Sequence, residues 1–164
     1  MPDSEIADTI EAYLQARKQL IKMGEKYPER ISGNDNMIGR IGEFIALRFL
    51  ESLGQRPKKV TGKSNPGYDL EDGTILTQVK VITDENVKGR NVRLKKPWNQ
   101  LILIELGEHY KPIRIGQLTE REHNKALEEN ATWSNQPTVK LTMLSDKGMI
   151  GKYGKVYAAE EIEI

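Results

Sequence analysis

The stretch YDLEDGTILTQVKVI, residues 68–82, decides the fold of this chain. At its centre Asp72-Gly73 is a strong two-residue hairpin signal between two runs able to form strands. With Glu71 and Thr74 flanking that turn, antiparallel pairing sets Leu70 opposite Ile75 and Asp69 opposite Leu76. Side chains alternate along a strand, so Leu76, Gln78 and Lys80 share a face with Asp69, and Gln78 becomes its diagonal neighbour. The other face carries Ile75, Thr77, Val79 and Val81 and suits a core. Leu76 and Ile82 are apolar too, which predicts a sheet covered on both sides, as in an α/β domain. A lysine buried there without a partner is costly, so Lys80 calls for a carboxylate, a metal site or a phosphate close by.

The preceding segment, from Asn36 to Leu53, has helical spacing. At about 100° per residue, Ile38, Ile41, Gly42, Ile45, Ala46, Phe49, Leu50 and Leu53 fall on one arc, with Arg40, Arg48 and Glu51 opposite. Glu43 sits at the edge of that arc beside Gly39, Gly42 and Ala46, where small side chains let the helix approach the sheet closely. Glu43, Asp69 and the amide oxygen of Gln78 are hard oxygen donors suited to Mg²⁺, or Mn²⁺, with bound water and substrate phosphate. Lys80 can position the attacking water and counter phosphate charge.

Glu43 in Ile-Gly-Glu-Phe-Ile-Ala, Asp69 in Gly-Tyr-Asp-Leu and Gln78-Val79-Lys80, in that order, resemble the PD-(D/E)XK nuclease superfamily with its restriction-endonuclease-like fold. The glutamine variant is similar to that of Mrr-like restriction enzymes. The resemblance covers about the first two thirds of the chain. It implies a three-layer α/β/α core, with Glu43, Asp69 and Gln78 holding the metal and Lys80 completing the catalytic set. It also implies a cleaved phosphodiester with 5′-phosphate and 3′-hydroxyl ends. The sequence departs from the family pattern in two ways. Pro66-Gly67-Tyr68 precedes Asp69, so the literal Pro-Asp pair is absent, and Gln78 replaces the second strand acid.

Composition sets the outer bounds. A chain of 164 residues suits one domain with a real core, divided as an N-terminal helix and loop (1–34), a catalytic core (36–118) and a C-terminal helix, strand and basic tail (119–164). Lys+Arg 25 against Asp+Glu 24 leaves a net charge of +1, so any nucleic-acid surface must come from local clustering. With no Cys there is neither a disulfide nor a thiolate metal site, and His109 and His123 are too few for a histidine-rich zinc centre. No signal sequence or membrane-length apolar run is present, so a soluble cytoplasmic protein without a membrane partner is expected.

The densest basic cluster follows the Lys80 strand: Lys88, Arg90, Arg93, Lys95 and Lys96. Phosphate backbones attract such a segment, and Lys63, in the loop before Asp69, is a further candidate contact. Asp84 and Glu85 read as ordinary loop acids rather than ligands, and Trp98 as core rather than a base-stacking ring. Residues 3–26 form an amphipathic helix lying on the domain, or alternatively a dimer contact. Residues 56–60 suit a short strand, 101–106 a buried strand and 113–118 its hairpin partner, with Ile113, Ile115 and Leu118 alternating. Thr119 with Glu122 predicts a capping box and a helix to about Glu129, with His123 on its surface. Residues 138–144 alternate as a last strand, and the Gly- and Lys-rich tail of 146–157 reads as a loose cover or a second nucleic-acid contact.

Together these readings predict an α/β domain with a central mixed sheet flanked by helices. They predict a Mg²⁺-dependent endonuclease acting on double-stranded DNA, working as a homodimer and, as a restriction enzyme, alongside a partner methyltransferase. The alternatives are a non-catalytic nucleic-acid-binding module of the same fold, and a repair or junction nuclease or RNase.

Overall fold

A computed structural model describes residues 2–26, 37–60, 67–83, 93–107 and 111–162. Its centre is a six-stranded sheet in the order β1-β2-β3-β4-β5-β6, with β1 Lys58–Lys59, β2 Leu70–Asp72, β3 Ile75–Ile82, β4 Gln100–Leu106, β5 Pro112–Thr119 and β6 Lys155–Ala158. Neighbours are antiparallel except β3 and β4, which run parallel, so the sheet is mixed.

Two apolar clusters lie on the two faces. Ile102, Ile104, Leu106, Ile115 and Val79 join one cluster with Ile41, Ile45, Ala46, Phe49 and Leu50 of helix α2 (Met37–Ser52). Leu101, Leu103, Leu118 and Ile82 join the other with Ala126 of helix α3 (Glu120–Glu129) and Met149 and Ile150 of helix α4 (Met149–Tyr153). A strand buried on both faces reads as a continuous apolar run, which is why 101–104 is Leu-Ile-Leu-Ile. Phe49 and Leu50 are fully buried, and each such side chain stabilises by roughly 1.5–3 kcal/mol.

Helix α2 ends where Gly54 takes φ 86°. Gly54 N–H donates to Glu51 O and Gln55 N–H to Leu50 O, the paired bonds of a Schellman stop. Helix α1 (Pro2–Lys26) lies on the domain, with Leu14 buried in the α2-side cluster and Asp3 paired with Arg48. Ile6, Leu20 and Met23 remain exposed on it. Thr119 and Glu122 form the expected capping box on α3. No helix among the described residues is long and apolar enough to cross a membrane.

The hairpin turn sits one residue later than expected. The register pairs Leu70 with Thr77, Glu71 with Leu76 and Asp72 with Ile75, leaving Gly73-Thr74 as the loop, with Gly73 at φ 58°. Asn99 fixes this choice: its amide donates to Thr74 O at 2.6 Å and accepts from Leu76 N–H at 2.7 Å. Asp72 in turn accepts from Arg56 N–H at 2.9 Å instead of serving in the loop. The displacement along the partner strand is an even number of residues, so the side chains of the paired residues keep their predicted faces.

The C-terminal third departs from expectation more strongly. Residues 138–144 are not a strand: Thr138 makes a single bridge to Arg93, and Leu141–Leu144 is a 3₁₀ turn that buries Met143 and Leu144 together. The edge position on β5 is taken by β6, so the tail is an ordered helix and strand, not a loose cover. Gly116 makes this packing fit, since a Cβ there would lie 2.9 Å from Ile150 Cγ2. Ile113 is exposed at the start of β5.

Candidate active site

Asp69 stands immediately before β2, where the hairpin stops pairing and β3 continues. Its backbone N–H donates to Thr77 O at 2.8 Å, and its carboxylate Oδ2 accepts from Val79 N–H at 2.8 Å. The carboxylate thus takes the place of the next ladder bond. It lies at the edge of the sheet, level with Val79. Beyond it, among the described residues, no strand pairs with β3 on the β2 side.

Alternation then sorts the neighbours. Val79 and Val81 face α2, where a Cβ on Gly42 would fall within the Val81 side chain. Gln78 and Lys80 therefore point to the opposite face, the side of α3 and α4. Gln78 is 5 % exposed, and its Oε1 is buried with no hydrogen-bond partner among the described residues. Lys80 is half-buried and has no carboxylate within ion-pair distance among the described residues. An unmet acceptor and an uncompensated ammonium, two positions apart on one strand, are each costly alone. Together they want a cation and an anion.

Glu43 approaches from the α2 side. It is half-buried and pairs with Lys59 Nζ at 3.1 Å. Lys59 is the cross-strand partner of Leu70, and the next residue, Val60, donates its N–H to Asp69 O. So Glu43 reaches the β1–β2 edge near Asp69, but it makes no hydrogen bond or ion pair with Asp69, Gln78 or Lys80. The four residues are distributed around the edge of β3: Glu43 on one face, Asp69 at the edge, Gln78 and Lys80 on the other face. Among the described residues no group of three or more Asp, Glu, His or Cys gathers to hold a metal. With Gln78 as third donor, the expected set contains only two acids. The donors fit a hard cation in their chemistry: two carboxylates, one shared with an exposed lysine, and a buried amide oxygen that receives no hydrogen bond from the described residues.

Of the expected phosphate contacts, Lys63, Lys88 and Arg90 lie outside the described residues, as do Asp84, Glu85 and His109. Arg93 and Lys95 are exposed and carry no ion pair among the described residues. Lys96 is committed elsewhere: its Nζ binds Glu120 Oε2 at 2.7 Å and Trp98 O at 3.0 Å and lies 4.0 Å from the Trp98 ring centre. Trp98 is 2 % exposed and belongs to the core, so it offers no face to a base.

His123 is not the surface residue expected from its polar helix. It is 1 % exposed, packs 5.1 Å from the Trp98 ring, and neither ring nitrogen has a hydrogen-bond partner among the described residues. Burial lowers its pKa below the ordinary 6.5, helped by the Lys96 ammonium and opposed by Glu120. The unfolded chain therefore takes up a proton that the native state refuses as pH falls below 6.5. Stability carries no such penalty above that value and falls progressively below it. In His123→Gln the acid-side decline of the thermal midpoint between pH 7.5 and 5 becomes shallower than in wild type, as followed by circular dichroism. An unchanged slope would show that His123 is not the group responsible.

The sequence reading did not single out an amide ladder on the α2 face. Gln100 Nε2 donates to Thr77 Oγ1 at 2.8 Å, Gln117 donates to Gln100 Oε1 at 3.0 Å, and Tyr157 O–H donates to Gln117 Oε1 at 3.3 Å. Its signal was the parity of Gln100 with Ile102 and Ile104, a polar residue on a face otherwise apolar. No protein-family model matches the sequence, and no curated protein matches it either.

Proposed function

We propose that the chain is a Mg²⁺-dependent endonuclease of restriction-enzyme type that hydrolyses DNA phosphodiesters to leave 5′-phosphate and 3′-hydroxyl ends. One observation carries the reading: Lys80, half-buried and without a counter-charge among the described residues, stands on the same strand face as the Gln78 oxygen, which has no hydrogen-bond partner among them, beside the point where Asp69 is fixed on Val79 N–H. A phosphate and a divalent cation arriving together satisfy both needs at once. Glu43, Asp69 and the Gln78 oxygen would hold the ion, Mg²⁺ or Mn²⁺, which supplies charge for the transition state and lowers the pKa of a bound water.

The side chains supply the rest. Asp69 is oriented by the Val79 amide, so its carboxylate does not have to be ordered when substrate arrives. Lys80 donates to a non-bridging phosphate oxygen and holds the attacking water in line. The water gives up a proton to solvent as its oxygen bonds to phosphorus, the bond to the 3′ oxygen breaks, and that oxygen takes a proton from solvent to become the 3′-hydroxyl. Arg93 and Lys95 hold the flanking phosphates. Cutting both strands of a duplex with one such site favours a homodimer, for which the exposed Ile6, Leu20 and Met23 of α1 are a candidate contact. As a restriction enzyme the protein would work with a partner methyltransferase.

The second reading, a non-catalytic nucleic-acid-binding module, draws on the Glu43–Lys59 pair, which satisfies that acid without a metal. The expected result is conversion of supercoiled plasmid to nicked and linear forms in Mg²⁺, stopped by EDTA and restored by added Mn²⁺. Binding of DNA with no product under either metal would select the module instead. Parallel assays on branched DNA and on RNA assign the substrate among duplex, junction and RNA.

A further inference from the structure

A cavity of about 540 Å³ opens between the end of α3 and the turn before α4, a size suited to a small ligand. Lys140 and Lys147 line it, with the hydroxyls of Thr132, Ser134 and Thr142, the Trp133 indole and the Met149 side chain. Among the described residues no acidic side chain lines it and neither lysine has an ion pair. The wall therefore offers positive charge, hydroxyl donors and one large aromatic ring.

That ring is held in place from outside the cavity. Tyr153 meets Trp133 edge-on at 6.2 Å, and its hydroxyl donates to Glu129 Oε2 and accepts from Asn130 Nδ2, at 2.7 and 2.8 Å. The Trp133 backbone N–H donates to Asn130 O at 2.9 Å, which fixes the main chain that carries the ring. A fixed indole beside two free ammonium groups is the arrangement that takes a planar base and its phosphate together. The cavity also adjoins the basic segment, since Arg93 bridges to Thr138 and Leu94 N–H donates to Pro137 O at 3.1 Å, both partners being part of the wall.

We propose that this cavity binds a single nucleotide, its base against Trp133 and its phosphate on Lys140 and Lys147. The cavity's chemistry carries the nucleotide; that it is an unpaired nucleotide of a DNA strand, led there along Arg93 and Lys95, rests on the nuclease reading.

The test is equilibrium binding by the full chain in EDTA, where hydrolysis cannot intervene. The probes are a short duplex with one unpaired 2-aminopurine, the same duplex fully paired, a free nucleoside monophosphate and ribose 5-phosphate. The unpaired duplex is expected to bind about tenfold more tightly than the paired one, with 2-aminopurine quenched. Trp133→Leu and the double variant Lys140→Ala/Lys147→Ala each remove that preference, and Trp133→Phe retains part of it. Both lysines are exposed, so the double variant does not disturb the core. Tight binding of the free monophosphate without a preference for the unpaired duplex assigns the cavity to free nucleotide. Equal affinity for the two duplexes with no monophosphate binding, or ribose 5-phosphate binding as tightly as the monophosphate, overturns the proposal. Cleavage that persists alongside such a result would leave the nuclease reading standing while the cavity assignment fails.

Discussion

Lys80→Ala lowers Mg²⁺-dependent cleavage by about 10²–10³-fold, the range in which one preorganised donor to developing charge contributes, and does so without lowering stability. The ammonium is half-buried on β3 and has no carboxylate among the described residues to offset its desolvation, so removing it relieves a cost in the native state. The thermal midpoint of Lys80→Ala stays level or rises, as is usual when a strained functional group is removed. DNA affinity stays within a few-fold, because Arg93, Lys95 and the rest of the basic segment are untouched. Asp69→Asn is the companion test. Asparagine still offers a carbonyl oxygen to Val79 N–H, so the edge of the hairpin survives, while the charge that would help hold the cation is lost. Both variants should be folded, DNA-binding and inactive. Cleavage within tenfold of wild type in folded Lys80→Ala, measured as initial rate on supercoiled plasmid, would refute the assigned role.

Much of this arrangement was legible in the chain because it is written in periods. The apolar arc Ile41, Ile45, Ala46, Phe49, Leu50 lies on α2 as its spacing demands, and the alternation through 75–82 puts Val79 and Val81 on the helix side and Gln78 and Lys80 opposite. What periodicity could not supply was the partner of each end. The turn moved by one residue because Asn99, distant in sequence, clamps Thr74 and Leu76. The relation of Glu43 to the sheet depends on Lys59, on a strand two residues long that propensity barely marks. Residues 138–144 alternate like a strand, yet β6 occupies the edge of β5, and Met143 and Leu144 bury side by side in a turn. His123 looked exposed because its own helix is polar, whereas the ring that covers it, Trp98, comes from the loop before β4. In each case a tertiary contact decided what local pattern left open.

Gly42→Ala should destabilise the protein by about 1–3 kcal/mol, the usual range for overpacking a well-filled core, although alanine ordinarily improves a helix. Helix α2 approaches β3 so closely that a Cβ at Gly42 falls inside the Val81 side chain and within 3.9 Å of Val79 Cγ1. Gly39, one turn earlier on the same helix, has nothing within 4 Å of the corresponding position. There the ordinary propensity applies, and Gly39→Ala should stabilise by roughly 0.5–1 kcal/mol. Two identical substitutions on one helix thus have opposite signs, which isolates the contact from any general effect of alanine. Chemical denaturation gives both values, and Val81→Ala in the Gly42→Ala background makes room for the added methyl. That double variant should be more stable than the sum of the single changes predicts, a coupling expected only where the two groups touch. The same contact tests the placement of Glu43. A helix pushed away from the sheet carries its next residue with it, and a displacement of about 1 Å at a catalytic group can cost 10²-fold. Cleavage should therefore fall in Gly42→Ala even at temperatures where the variant is fully folded, remain in Gly39→Ala, and recover when Val81→Ala lets the helix settle back.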